Sequence, residues 1–383
     1  MKKKFILFSA VIFSLYSCKT PPQTDNLLKT NPEPQKLSLL FLGDIMAHTE
    51  NFKMQDFNKI WTDVKLIFNE CDFVFGNIES PVDDSLSFSS YPEFNMKNSY
   101  PEAMIDAGIN VFSLANNHIN DQKIDGIIQT SLWAEKTENS DKTYFSGIKN
   151  PSNPQITYKT IEYNSWKIIF CAVTEILNRN TGKEYINFVN YTEKGRNDFI
   201  KTVKNIRQSN ECDIFILSIH TNETEYVKDV KESRKKYYHS LIENGVDVIW
   251  ANHPHVVRER ELIGEKNSQK IKKIILYGNG NTISGQRRNP QFKNPENPRD
   301  NTGDSLMFFA EFSKDLQTGE TYISRTKPYY ITTYINTAWN FVIKNLDENF
   351  INYLEENGRI DWKEYIKKRK EITEQTKETI IWQ

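Results

Sequence analysis

Five of the six histidines in this chain, His48, His118, His220, His253 and His255, fall at or just beyond the ends of short apolar runs, beside Asp, Asn or Glu. The sixth, His239, sits in a helical pattern, KKYYHSL. Imidazole, carboxylate and amide oxygen together form the donor set of a divalent metal such as manganese, iron or zinc. Each phrase is an apolar, β-branched or aromatic run that ends in such residues. Residues 37–42 lead into Gly43-Asp44, 73–75 into Gly76-Asn77-Ile78-Glu79, and 111–114 into Ala115-Asn116-Asn117-His118. The phrase returns where 214–219 lead into His220, 246–250 into Asn252-His253-Pro254-His255, and 274–276 into Tyr277-Gly278-Asn279-Gly280-Asn281. In His253-Pro254-His255 one residue separates the rings, so an extended segment puts both on one side, facing one or two metals. The proline disfavours helix there.

Such residues need a scaffold that brings strand ends together. Continuous apolar runs of this length suit strands buried on both faces of a sheet. Helical patterns lie between them at 57–69, 100–107, 124–138, 193–208 and 234–244. Alternating strand and helix predicts an α/β layered domain with its chemistry at the strand ends. The alternation fades after about residue 300. Residues 305–312 and 319–325 read as antiparallel strands joined near Thr-Gly, and 329–334 as a further strand. From about residue 348 the chain is highly charged, with a helical period in Trp362, Ile366 and Ile372, and reads as a solvated helix packed on the domain.

A chain of 383 residues suffices for one large or two modest domains. Its 38% hydrophobic and 13% aromatic residues can fill a core, and Lys+Arg 49 against Asp+Glu 50 excludes a nucleic-acid binder acting through bulk positive charge. The four cysteines, Cys18, Cys71, Cys171 and Cys212, form no Cys-x-x-Cys pair, which excludes zinc ribbons and disulfide-stapled scaffolds. The last three adjoin apolar stretches and read as buried thiols. At the N-terminus, Lys2-Lys3-Lys4 precedes an apolar run too short to span a bilayer, which needs about 20 residues. Residues 1–17 therefore read as a signal peptide. Leu15-Tyr16-Ser17-Cys18 resembles a bacterial lipobox, which implies lipidation of Cys18. The polar, Pro-rich stretch 18–36 then reads as a tether, with the domain at 37–345 and a charged helical extension at 346–383. The expected location is the cell envelope, outside the cytoplasm, anchored to a membrane by lipid.

From about residue 37 to 285, the ordered series GDIMAH, FGNIESP, SLANNHIND, SIHTNETEY, GVDVIWANHPHVV and YGNGN resembles the bacterial capsule synthesis CapA family, also described as poly-gamma-glutamate synthesis proteins. That family is similar in fold to the calcineurin-like metallophosphoesterases. The resemblance implies an α/β, four-layer β-sandwich flanked by helices, with two divalent metal ions (manganese, iron or zinc) at the strand ends. It implies Asp44 and His255 on one ion, Glu79 as the bridging carboxylate, and Asn117, His220 and His253 on the other. His118 is then the catalytic histidine that approaches the substrate, Asn77 lies behind the ligands or touches substrate, and Asn281 binds substrate. In such a centre the ions activate a water for attack at phosphorus, while His118 stabilises developing charge or protonates the leaving oxygen. The implied substrate is an anionic capsule polymer or an envelope phosphoester, with membrane-embedded capsule-synthesis proteins as further partners and no nucleic acid. Two other readings stand beside hydrolysis of a phosphoester: an accessory role in assembling, exporting or anchoring the polymer, and hydrolysis of its amide bonds.

The sequence departs from the family pattern after His220, where Thr-Asn-Glu-Thr-Glu-Tyr is one residue longer than His-Trp-Gly-x-Glu-Tyr. Glu223 and Glu225 are both candidates for the family glutamate. Asn252 and the Tyr277–Asn281 loop also differ, as changes at the substrate rim. His48 reads as a loop or capping residue, Asn116 as a turn residue, Asp121 as a cap for the following helix, and Arg287-Arg288 as an exposed charge pair.

Overall fold

A computed structural model describes residues 33–140 and 142–383. Residues 1–32, with the expected signal peptide and Cys18, lie outside the described residues. The six expected runs all become strands, within a longer series that holds others the sequence reading did not name: β1 (Gln35–Ile45), β2 (Phe73–Ile78), β3 (Val111–Ser113), β4 (Tyr144–Ser146), β5 (Lys159–Tyr163) and β6 (Trp166–Thr174). They continue as β7 (Ile214–His220), β8 (Val248–Asn252), β9 (Arg260–Glu265), β10 (Lys270–Leu276) and β11 (Asn281–Ile283). Interleaved helices are α1 (Thr49–Phe52), α2 (Lys65–Asn69), α3 (Ser99–Ala107), α4 (Lys123–Ser140), α5 (Glu193–Ser209) and α6 (Glu232–Glu243).

Strand pairing builds two half-sheets. One runs β4-β3-β2-β1 and continues into β12 (Asp304–Lys314) and β13 (Thr321–Ile335); the other runs β10-β8-β7-β6-β5. Ile271 opposite Ile323 joins them. Period-two alternation in the second half sorts its side chains. Ile168, Phe170, Ile216, Val248, Trp250, Ile274 and Leu276 join the core that contains Phe41 and Phe75 of the first half. Their neighbours Ile169, Cys171, Phe215, Leu217, Ile249 and Ile275 pack instead with Phe199 and Val203 of α5 and with Tyr238 and Leu241 of α6. Helices therefore cover the far face of one half-sheet while its near face meets the other. Trp250 shows how tight the inner seam is: its ring lies 6.2 Å from Phe41 and 6.1 Å from Phe75, and its indole N–H donates to Leu42 O at 2.6 Å. Truncating such a residue to Ala costs about 3–5 kcal/mol. On the other side, Trp133 of α4 meets Phe145 edge-on at 5.1 Å. Helices, half-sheet, half-sheet and helices make the four layers.

The C-terminal third differs from its sequence reading. The strands expected at 319–325 and 329–334 are one, β13, which pairs along β12 and passes Pro328 without ending. A short β14 (Phe341–Asn345) pairs with β13. The charged tail holds two helices, α7 (Glu348–Glu356) and α8 (Ile360–Glu374), and then a strand, β15 (Glu378–Trp382), parallel to β9. α8 buries Trp362, Tyr365, Ile366 and Arg369. Arg287, expected at the surface, is buried as well: its guanidinium donates to Asp304 Oδ1 at 2.6 Å, while Arg369 donates to Asp304 Oδ2 at 2.7 Å. Thr332 donates to the same carboxylate. Two guanidiniums on one buried aspartate pin α8 to β12. Arg288 points the other way and is exposed. No helix among the described residues is long and apolar enough to cross a membrane.

Candidate metal centre

The strand ends converge. Asp44 comes from β1, Glu79 follows β2, Asn117 and His118 follow β3, His220 ends β7, and His253 and His255 follow β8. All seven are buried. A register shift between Phe41 and Asp44 turns Asp44 inward, and Gly43 makes this possible because a Cβ there would stand 2.0 Å from Gly280 O. Asp44 N–H donates to that same oxygen at 2.9 Å.

The histidine pair departs from the extended conformation that its spacing predicts. β8 ends at Asn252, and both His253 (φ 97°) and His255 (φ 57°) adopt left-handed backbone. That conformation is costly for a residue with a side chain and concentrates at functional sites. The turn lets His253 N–H donate to Asp44 Oδ2 at 3.2 Å and leaves the rings 5.8 Å apart. Both still face the same centre.

Three triads place one donor atom from each member within 4.8 Å of the others: Asp44, Glu79 and His255; Glu79, His220 and His253; and Glu225, His253 and His255. Glu79 belongs to the first two. Asn117 joins the second through its Oδ1, 2.8 Å from His220 Nε2. Nε2 of His220 and of His255 lie 3.5 and 3.8 Å from Glu79 Oε1, and His255 Nδ1 lies 3.1 Å from Asp44 Oδ2. Donors that each stand about 2.0–2.2 Å from an ion stand roughly 3 Å from one another at right angles, so these spacings suit shared coordination.

Unsatisfied atoms make the same case. Both Glu79 oxygens are buried without a hydrogen-bond partner among the described residues, as are Nδ1 of His220 and of His253. Burial, then Asp44 and Glu225, push the Glu79 carboxyl well above its ordinary range. Burial and the neighbouring imidazoles hold His220 well below its ordinary value and His253 down to about 4. A carboxylate stripped of water beside neutral imidazoles is costly until a cation joins them. The residues fit divalent metal.

Bonds behind these donors fix their orientation. Asn77 donates to Asp44 Oδ1 at 2.8 Å. Asn281, expected at the substrate, is fully buried, with Oδ1 2.9 Å from His255 Nδ1 and its amide donating to Gln286 and Thr302. It stands behind the histidine. Asn116 holds the turn as expected, donating to Ile78 O and accepting from His118 N–H.

A family model described as bacterial capsule synthesis protein PGA_cap matches residues 38–286. The chain belongs to that family. Among relatives, PGA biosynthesis protein CapA of Bacillus subtilis (strain 168) is 23% identical over 256 residues, 65% of this chain and 64% of the relative. Capsule biosynthesis protein CapA of Bacillus anthracis is 24% identical over 272 residues, 66% of this chain and 61% of the relative. The chain thus spans less than two thirds of the length of either. A phosphatase structure from Mycoplasma pneumoniae is 15% identical, with a TM-score of 0.48 over 78% of this chain and 94% of its own. A hypothetical protein from Thermus thermophilus is 13% identical, with a TM-score of 0.46 over 77% and 98%. Likeness at that level decides nothing about chemistry.

Several site residues of this PGA_cap family member were hidden in its sequence. Asp121 is no helix cap: its Oδ2 lies 2.6 Å from His118 Nδ1 and also accepts from Phe94 N–H. Asn178, in the loop after β6, reaches His118 Nδ1 at 3.0 Å and accepts from Asn117 at 3.2 Å, which ties the two neighbours together. Its signal in the sequence was only its place after a strand, with no histidine beside it. The two glutamates are separated by their partners. Glu223 is taken by Arg258 at 2.6 Å, whereas Glu225 faces His253 and His255. Burial alone would raise the Glu225 carboxyl, but His255, Tyr226 and His253 hold it below its ordinary value. Glu175, also unsuspected, binds Arg196 and Arg234 and so anchors the loop that carries Glu225. His48 caps α1 as expected, yet its ring packs edge-on to Phe94, which packs edge-on to His118.

Proposed function

We propose that this chain is a metal-dependent hydrolase of the cell envelope, acting on a phosphoester within or attached to an anionic capsule polymer. The observation that carries the reading is that one buried carboxylate, Glu79, belongs to two donor triads at once, the arrangement a two-ion site requires. Asp44 and His255 would hold one ion together with Glu79, and Asn117, His220 and His253 would hold the other with the same glutamate. Ions bound there supply Lewis acidity to a phosphoryl oxygen and lower the pKa of a bound water. His118 does the rest through Nε2, since its Nδ1 is engaged by Asp121 and Asn178. Held in one orientation, Nε2 stabilises charge on the leaving oxygen or returns a proton to it. Lipidation of Cys18 fits this reading, since it keeps the domain beside the envelope.

One observation favours a second reading, attack at an amide bond of the polymer. Glu225 puts a further carboxylate against His253 and His255, where it repels a doubly charged phosphate yet accepts a hydrogen bond from an amide N–H. Elemental analysis of the protein beside a His253→Ala, His255→Ala variant tests the centre. About two ions per chain, lost in the variant, support it; none under saturating manganese, iron or zinc points to an accessory role in polymer assembly. With the centre established, turnover of a phosphoester or of γ-linked polyglutamate by the wild type separates the chemistries, and His118→Ala must retain metal while losing that turnover. Undiminished turnover refutes the role of His118.

A further inference from the structure

Beside the metal donors lies an open cleft of about 560 Å³, lined among others by His48, Glu225, Tyr226, Gly285, Arg288 and Arg299. Glu225 is common to the cleft and to the triad with His253 and His255, so the cleft borders the metal donors. Three features show a cleft built for a ligand. Gly285 closes one wall tightly, since a Cβ there would stand 2.6 Å from His48 Cβ. His48 is buried, and its Nδ1 has no hydrogen-bond partner among the described residues. Arg299, whose backbone N–H is held by Asn297, stacks its guanidinium over the Tyr226 ring at 4.4 Å with no carboxylate in ion-pair range among the described residues. Tyr226 is itself fixed, with left-handed backbone (φ 66°) and an N–H donated to Pro254 O at 2.9 Å, between the two site histidines. Arg288, also in the cleft lining, pairs among the described residues with Glu50 at 3.2 Å, and its side chain is 66% exposed.

We propose that this cleft binds an anionic group of the substrate, a carboxylate or phosphate away from the bond that is broken, with Arg299 as its main anchor. The proposal rests on the hydrolase reading for the word substrate, but the binding itself does not require turnover. A guanidinium carries five N–H donors, enough to offer two parallel hydrogen bonds to a carboxylate or phosphate while it lies against an aromatic ring. Arg288 adds a second positive charge. Glu225 supplies the negative charge of the lining on the side of the metal donors His253 and His255.

Calorimetric titration of the metal-loaded protein with penta-γ-glutamate, with a glycerol-phosphate pentamer and with penta-γ-glutamine tests this. We expect at least one anionic probe to bind, Arg299→Ala to weaken it about tenfold or more, and Arg288→Ala to weaken it less. Arg299→Lys should restore only part, because an ammonium presents no planar fork. Preference between the two anionic probes identifies carboxylate or phosphate as the natural group. Failure of both to bind, equal binding to Arg299→Ala, or equal binding of the neutral amide probe overturns the proposal. Metal content is read on the same samples. Arg299-dependent binding in a protein that holds no metal keeps the cleft and removes the hydrolase, whereas metal without such binding does the reverse.

Discussion

The Asp304 cluster and the metal centre are both buried and charged, and they differ in what their atoms still lack. Around Asp304 the charges answer one another: Arg287 and Arg369 take its two oxygens, Thr332 and Thr373 add hydroxyls, and Arg287 also donates to Thr333 O. One donor of the set, Arg287 Nε, is left without a partner among the described residues. Around Glu79 the reverse holds: neither oxygen is hydrogen-bonded among the described residues, and imidazoles and further carboxylates stand closest to it. A self-satisfied network fixes structure, as α8 on β12 shows. A cluster of unsatisfied donors and acceptors at one place calls for something that binds it. Counting buried carboxylates alone would not distinguish these regions; counting their unmet bonds does.

The comparison is sharpest at Glu79. Glu79→Gln should abolish metal binding, by more than the 10- to 100-fold that loss of a supporting residue costs, as read by elemental analysis. The same change should leave the metal-free protein as stable as, or more stable than, metal-free wild type at pH 7. Because the Glu79 carboxyl is raised, its contribution without metal is present below the ordinary glutamate value of about 4.3 and is lost as pH rises through the raised value. Clear destabilisation of the metal-free variant would break the contrast. Asp304→Asn should act with the opposite sign, costing about 3–5 kcal/mol by stranding two guanidiniums, measured by urea denaturation. Burial would raise the Asp304 carboxyl, but Arg287 and Arg369 hold it below its ordinary value. Its contribution is therefore present above about pH 4 and lost as pH falls through the lower folded value.

Smaller effects refine the boundary of the site. Asn178→Ala should cut turnover about tenfold, or 1.4 kcal/mol, and leave the metal content unchanged, because it orients His118 and Asn117 without belonging to a triad. Loss of metal in that variant would move Asn178 into the centre itself. His239, the histidine outside the strand ends, pairs with Glu261 at 2.8 Å, which raises its pKa. His239→Gln should retain metal and cost well under 1 kcal/mol. That cost should be seen below about pH 6.5 and fade as pH rises through the raised value.

Much of this was readable before any coordinates. The strand runs are apolar on both faces because both faces are covered, and a donor at the end of each run needs only the chain order to be noticed. Residues that act through geometry were not readable. Asp121 reaches His118 from three residues on, a spacing shared with ordinary caps. Asn178 comes from a loop that announces nothing. Glu223 and Glu225 look alike in sequence and separate only once Arg258 claims the first. Arg287 and Arg288 are adjacent and identical in type, yet the chain buries one and exposes the other. The left-handed backbone at His253 and His255 was invisible because no glycine marks it.

The seam between the half-sheets bears on the order in which the molecule is made. Asp44, Glu79 and Asn117 come from one half and His220, His253 and His255 from the other, and the hydrogen bond from His253 to Asp44 joins residues 209 apart in the chain. Contacts this distant in sequence form late in folding, so the complete donor set does not exist until both halves have docked. A metal would then arrive as a passenger of the finished fold rather than as its template. Since first-row ions are selected largely by availability, the compartment in which folding ends would decide which metal such a site takes.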